Sequence, residues 1–182
     1  MKPLRTTISF ALVCAAATLA QAQGKFQSVY TDLAPSKCRT LEVVEETGAS
    51  VQRCAGTGGY KLLVLDDDAR QSITVIDPSG KEHPLDFWQV ITFGFSSVGD
   101  KAEWRVTRMR GKITPVALIV RVNANEDAEN PNRKTSYLAV AKITRDETCV
   151  THKIPSAAGA NTSARRAADS AVTAPCLKPK TP

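Results

Sequence analysis

Four cysteines, Cys38, Cys54, Cys149 and Cys176, lie downstream of an N-terminal export signal, and together they constrain this chain to a disulfide-bonded domain outside the cytoplasm. The signal is read from the order of its parts. Lys2 and Arg5 supply a positively charged start, and an apolar run follows from Ile8 to Leu19. Ala20-Gln21-Ala22 then offers the small-x-small pattern of a cleavage site, with the cut after Ala22. The apolar run is too short to cross a bilayer core of about 30 Å as a helix. A fifth cysteine, Cys14, lies inside that run behind Val13, not behind the small residue that a lipid-attachment site requires, and it leaves with the signal.

Cleavage leaves 160 residues, enough for one domain with its own core. Four cysteines allow three pairings. Spacing favours Cys38–Cys54 and Cys149–Cys176, because each pair brackets one local unit. No two cysteines are spaced C-x-x-C, which argues against a thioredoxin-type centre. Neither His83 nor His152 completes a zinc set with them, and the reading includes no metal and no cofactor. Lys2 and Arg5 go with the signal and no acid does, so the net charge falls from +6 to +4. That excess is too diffuse to demand nucleic acid, but it favours acidic partners such as anionic headgroups or envelope polymers.

From Phe26 to about Ile154 the text reads as strands and turns. Residues 27–31 open the series, and 40–45 with 50–53 form a hairpin around Thr47-Gly48. Segments 60–65 and 72–76 flank a turn at Asp66-Asp67-Asp68. Residues 81–101, with Phe87, Trp88, Phe93 and Phe95, are the most aromatic stretch of the chain and read as a packed loop. Residues 102–109 alternate as a strand, and the apolar run 113–122 suits a central strand, with Pro115 at its start or at a bulge. Residues 137–144 and 148–154 are the last two strands. Asn161-Thr162-Ser163 is placed to cap a helix over about 162–172, its apolar face formed by Ala164, Ala167, Ala168, Ala171 and Val172. The expectation is α+β: a mainly antiparallel meander of about eight strands in a curled sheet, one C-terminal helix, and two disulfides, within a single domain over 23–176 and with a loose tail over 177–182. No later run is long and apolar enough for a membrane span.

Several short pieces resemble the corresponding parts of uncharacterised periplasmic proteins from proteobacteria. They are Tyr30-Thr31-Asp32-Leu33, Cys38, Cys54 with Gly58-Gly59-Tyr60, Ala102-Glu103-Trp104-Arg105, and the Cys149–helix–Cys176 ending. The resemblance implies a periplasmic location and no particular activity. Small periplasmic lysozyme inhibitors share the style of fold, but their serine-glycine signature is missing here, and a basic chain is ill suited to a basic enzyme.

No catalytic constellation stands out. His83 in Lys81-Glu82-His83-Pro84-Leu85-Asp86 has a carboxylate nearby that would orient its ring, which makes His83 with Asp86 the alternative, hydrolytic reading. Gly94-Phe95-Ser96-Ser97-Val98-Gly99 misses the nucleophile-elbow spacing by one residue, and no helix follows it. Gly56 to Lys61 lacks the helix that a phosphate loop opens. Neither acidic turn, Asp66–Asp68 or Glu126–Glu129, has calcium-loop spacing. The surface singled out for binding is the hairpin carrying Trp104, Arg105, Arg108 and Arg110, where an aromatic ring and guanidinium groups suit stacking and anion capture. The leading reading is therefore a non-catalytic interaction module for an envelope component. A structural or stress-related envelope protein without a discrete ligand is a third.

Overall fold

The computed structural model describes residues 25–127, 129–130 and 132–179. The segment read as an export signal and the end of the tail lie outside them. The described residues are β-rich, with two short α-helices and ten strands in one unclosed sheet. The strands are β1 (Gln27–Asp32), β2 (Arg39–Val43), β3 (Ser50–Cys54), β4 (Lys61–Asp67), β5 (Arg70–Ile76), β6 (Glu82–Pro84), β7 (Ser96–Met109), β8 (Lys112–Ala124), β9 (Thr135–Ile143) and β10 (Thr148–Pro155). A single helical turn, α1 (Phe87–Val90), precedes β7, and the longer helix α2 (Ala160–Asp169) follows β10.

Two antiparallel ribbons make up the sheet, β2-β3-β4-β5-β6 and β1-β7-β8-β9-β10. They join at one parallel bridge, Arg70 to Ser96. β7 changes neighbours along its length. Its register against β8 shifts between Val98 and Ala102, and from Lys101 onward its free edge pairs with β1 instead of β5. At the shift a Cβ on Gly99 would come 3.0 Å from the Arg121 Cβ, tighter than ordinary packing. Just below the bridge, a side chain replaces the ladder: Val98 N–H donates to Gln71 Oε1 at 2.9 Å, and Gln71 Nε2 donates to Asp66 Oδ2 at 2.8 Å.

The sheet curls until both ribbons share one core. Leu62, Val64, Ile73 and Val75 from the first ribbon pack with Trp104, Val106, Leu118 and Val120 from the second. Phe87 and Ile91 close that core from the 85–92 segment and are fully buried. On the outer face of β8 and β9, α2 lays Ala160, Ala164 and Ala168, with the following Ala171, against Ala117, Ile119, Leu138 and Val140. Methyl-sized side chains on α2 let its backbone approach the sheet closely, so apolar strand residues are buried on both faces, as the continuous apolar run of β8 requires. Both disulfides are present as spacing favoured: Cys38–Cys54 closes the β2–β3 hairpin and Cys149–Cys176 ties the chain after α2 to β10.

Several local expectations differ from the fold. Residues 81–101 hold β6, α1 and the first six residues of β7, since Phe87 and Ile91 are drawn into the core and the adjoining backbone gains partners there. α2 begins at Ala160, and its N-cap is Gly159 at φ 80°, with no side-chain cap from Asn161, Thr162 or Ser163. Val172 lies in the turn after α2 and is exposed. Pro115 sits at a bulge, where the β7–β8 register shifts between Arg105 and Val106.

The β4–β5 turn is made by Asp68 and Ala69, at φ 51° and 55°. A left-handed alanine costs about 1–2 kcal/mol, partly returned as entropy when glycine loosens the unfolded chain. Ala69→Gly is therefore expected to raise the unfolding free energy by about 0.5–1 kcal/mol, read from the urea midpoint; an unchanged or lower midpoint would show that this turn is not strained.

Candidate functional site

β7 organises the residues that the sequence singled out. Trp104 and Arg105 point to opposite faces, as a strand demands. The inner face is the core: Trp104 is fully buried, its Nε1–H donates to Thr31 Oγ1 at 2.9 Å, and its ring centre lies 6.1 Å from that of Tyr60. It presents no ring face to solvent for stacking.

The outer face of β7 lies under α2, and Arg105 is drawn into the contact. Its Nε and Nη2 donate to the two carboxylate oxygens of Asp169 at 2.7 and 2.9 Å, and its Nη1 donates to Ser28 Oγ. Ser28 in turn donates to Glu103. Glu103 takes a second two-pronged contact from Arg165, at 2.6 and 3.1 Å, and Arg165 Nη2 also donates to the Tyr30 hydroxyl. Burial works to raise the Glu103 pKa, but the hydrogen bonds from Arg165 and Ser28 and the two guanidinium charges outweigh it, leaving the group below its ordinary value. These pairs bind α2 to β1 and β7.

The other two residues lie at the exposed end of the hairpin. Arg108 is exposed and its Nε donates to Gln27 Oε1 at 2.9 Å, and Arg110 holds the turn at φ 49° beside Gly111. Lys112 is exposed next to them, and Met109 is 76 % exposed, the most exposed large apolar side chain among the described residues. Lys25 lies over the Phe26 ring just ahead of β1, which pairs with this end of β7. Neither residues 25–31 nor residues 104–116 contain an acid, and the two segments hold four exposed cations, Lys25, Arg108, Arg110 and Lys112.

Other motifs resolve into local structure. His83 Nε2 lies 3.2 Å from Asp77 Oδ2, whereas Asp86 sits at the start of α1 with φ 47°; no hydrogen bond among the described residues joins it to His83. Asp77 is held well below the carboxylate range, foremost by the Ser79 hydroxyl and against its own desolvation, with His83 and the Lys81 and Ser79 amides assisting. His152 Nδ1 is 2.9 Å from Thr151 Oγ1. The one group of close potential metal ligands among the described residues is Glu147, Cys149 and Cys176, and its two sulfurs are bonded to each other. The strand that follows Ser96 rules out the strand-to-helix elbow.

A second cluster had no sequence signature. Glu126, Tyr137 and Lys153 meet beside the 91–95 segment: Tyr137 donates to Glu126, Lys153 Nζ lies 3.8 Å above the Tyr137 ring, and the same ammonium donates to Ile91 O at 2.8 Å. Desolvation, with the Glu126 carboxylate as a further cause, raises the Tyr137 hydroxyl to about 12. The cluster anchors the loop that presents Phe93 and Phe95.

No protein-family model, no curated protein and no solved structure matches this chain. Among the described residues, no helix is long and apolar enough to cross a membrane.

Proposed function

We propose that this chain is an exported, periplasmic, non-catalytic interaction module, and that it engages an acidic component of the cell envelope through the exposed end of the β7–β8 hairpin. The observation that carries the reading is four exposed cations, Lys25, Arg108, Arg110 and Lys112, in the two segments that pair at this end of the hairpin, with no acid in either. Such a surface attracts phosphate and carboxylate groups, and a thioether adapts to irregular apolar contacts. Two disulfides suit an oxidising compartment. Trp104 and Arg105 support the hairpin from behind, and Arg108 and Arg110 carry the contact.

Vesicle co-sedimentation of the oxidised mature protein tests this. Vesicles containing phosphatidylglycerol should retain the protein at low salt and release it as salt rises, while purely zwitterionic vesicles should not bind it. At about 1 kcal/mol per surface cation, the Arg110→Ala/Lys112→Ala double variant should bind about 30-fold more weakly. Equal binding of wild type and double variant would sink the assignment of this surface.

A further inference from the structure

The β7–β8 hairpin reaches past both of its neighbours. The last pair of β1 with β7 is Gln27 with Val106, and β9 pairs with β8 only from Ala117 onward. Residues 107–114 therefore form a two-stranded arm with no further strand on either side among the described residues. The loop over 54–61 lies at its base, where a Cβ on Gly58 would fall 2.7 Å from Pro115 Cδ. The arm ends in Met109, 76 % exposed, with Arg108, Arg110 and Lys112 exposed beside it. No acid occurs in residues 25–31, 54–61 or 104–116. Two strands alone are marginally stable in water, so such an arm gains most where a second surface covers it.

The other end of β7 carries the complementary chemistry. Arg70 pairs with Ser96, Ser96 with Ala124, Ala124 with Thr135, and Ser50 with Asp66. The turns over 44–49 and 67–70, the 91–95 segment and the loop over 125–134 consequently lie at that one end. Together they contain seven acids against three bases. Arg70, Arg133 and Lys153 pair with Asp68, Asp127 and Glu126 in turn. Glu45, Glu46, Asp67 and Glu129 make no ion pair among the described residues. Within this acidic surface Phe93 is 44 % and Phe95 54 % exposed, and both line an open groove of about 530 Å³. The segment that presents the rings is fixed by backbone contact with the β8–β9 loop: Asn125 N–H donates to Phe95 O at 2.8 Å, and a Cβ on Gly94 would fall 2.3 Å from Asn125 O.

Arm and groove match in both their apolar and their charged parts. A thioether packs favourably against aromatic rings, and guanidinium and ammonium groups pair with carboxylates. Both features terminate the same 14-residue strand, at opposite ends, so the arm of one chain cannot reach its own groove.

We infer that the occupant of the Phe93–Phe95 groove is the β7–β8 arm of a second copy of this chain, with Met109 against the two rings and Arg108, Arg110 and Lys112 facing the acidic rim. The contact is head to tail. Each bound pair keeps one open arm and one open groove, and further copies add in rows. A single arm in a groove is a small, charged interface, so the association is weak and sensitive to salt. It uses the same arm as the proposed function, and a second copy competes there with an acidic surface.

Sedimentation velocity of the oxidised mature protein and its variants decides it. The mean mass of wild type should rise with concentration between about 10 µM and about 1 mM at low salt. Raising the salt from about 50 mM to about 500 mM should weaken association at least about tenfold. Phe93→Ser/Phe95→Ser removes the groove. Arg110→Asp/Lys112→Glu removes the arm, and aspartate tolerates the φ of 49° at position 110. Each double variant alone should stay a single chain. Mixed, they should form a one-to-one pair and nothing larger, because one keeps its arm and the other its groove. Asp67→Lys/Glu129→Lys reverses two exposed rim charges without touching the rings, and it should weaken self-association at least about tenfold. Wild type that stays a single chain at about 1 mM and low salt overturns the inference. So does unchanged self-association in the rim variant, a mixture that does not pair, or a double variant that still self-associates through another surface. A single-chain protein that binds anionic vesicles would overturn this inference alone and leave the proposed function standing.

Discussion

Trp104→Ala should cost about 3–5 kcal/mol of stability, the range for removing a large aromatic side chain from a core. Trp104 has no exposed surface, packs on Tyr60, and shares the core with Ile73 and Val75 from the opposite ribbon. It therefore holds the two ribbons together where the sheet itself has only one bridging pair. The loss also strands the Thr31 hydroxyl that its indole N–H satisfies. Domains of this size have about 5–15 kcal/mol in hand, so the variant should lose a large share of its stability. Urea denaturation checks this, with Trp104→Phe as an intermediate that keeps the ring but not the hydrogen bond. A Trp104→Ala midpoint close to wild type would mean that the ribbons do not depend on this contact.

Arg105→Ala has the second largest expected effect, about 3 kcal/mol, because it removes one partner of a largely buried ion pair and leaves Asp169 and Ser28 uncompensated. The readout specific to this network is its pH dependence. Glu103 has a folded pKa below its ordinary value. Its contribution is fully present above the unfolded carboxylate value of about 4.3 and is lost as pH falls through the lower, folded value. Glu103→Gln should accordingly be less stable than wild type at neutral pH, and the difference should close in acid. A difference independent of pH would contradict the ion-pair account. A stable Arg105→Ala protein with impaired vesicle binding would return Arg105 to the binding surface.

The sequence showed the two faces of β7 through simple alternation, and it separated Trp104 from Arg105 correctly. It carried no information on what would cover each face. Arg105 reads as a surface cation until α2, sixty residues later, brings Asp169 onto it. Both lie in segments with ordinary local patterns, and long-range pairing of single charges leaves no periodic trace. The same holds for His83, whose near neighbour in sequence is Asp86 but whose ring meets Asp77 across the β5–β6 turn. The junction between β5 and β7 was invisible for another reason. Arg70 and Ser96 are ordinary strand-end residues, and they form the one bridge between the ribbons because β7 exchanges β5 for β1.

What the sequence determined by itself was therefore local. It comprised the strand segments, which follow from alternation and turn residues, the cysteine pairs, which follow from short loop closure, and the helix with its alanine face. The tertiary structure alone decided that β1 inserts beside β7, that the ribbons meet at a single parallel bridge, and that an arginine becomes a clamp. Those outcomes depend on which nonlocal surfaces exclude water together. The free energy of that choice belongs to the packed whole, and no window of the chain contains it.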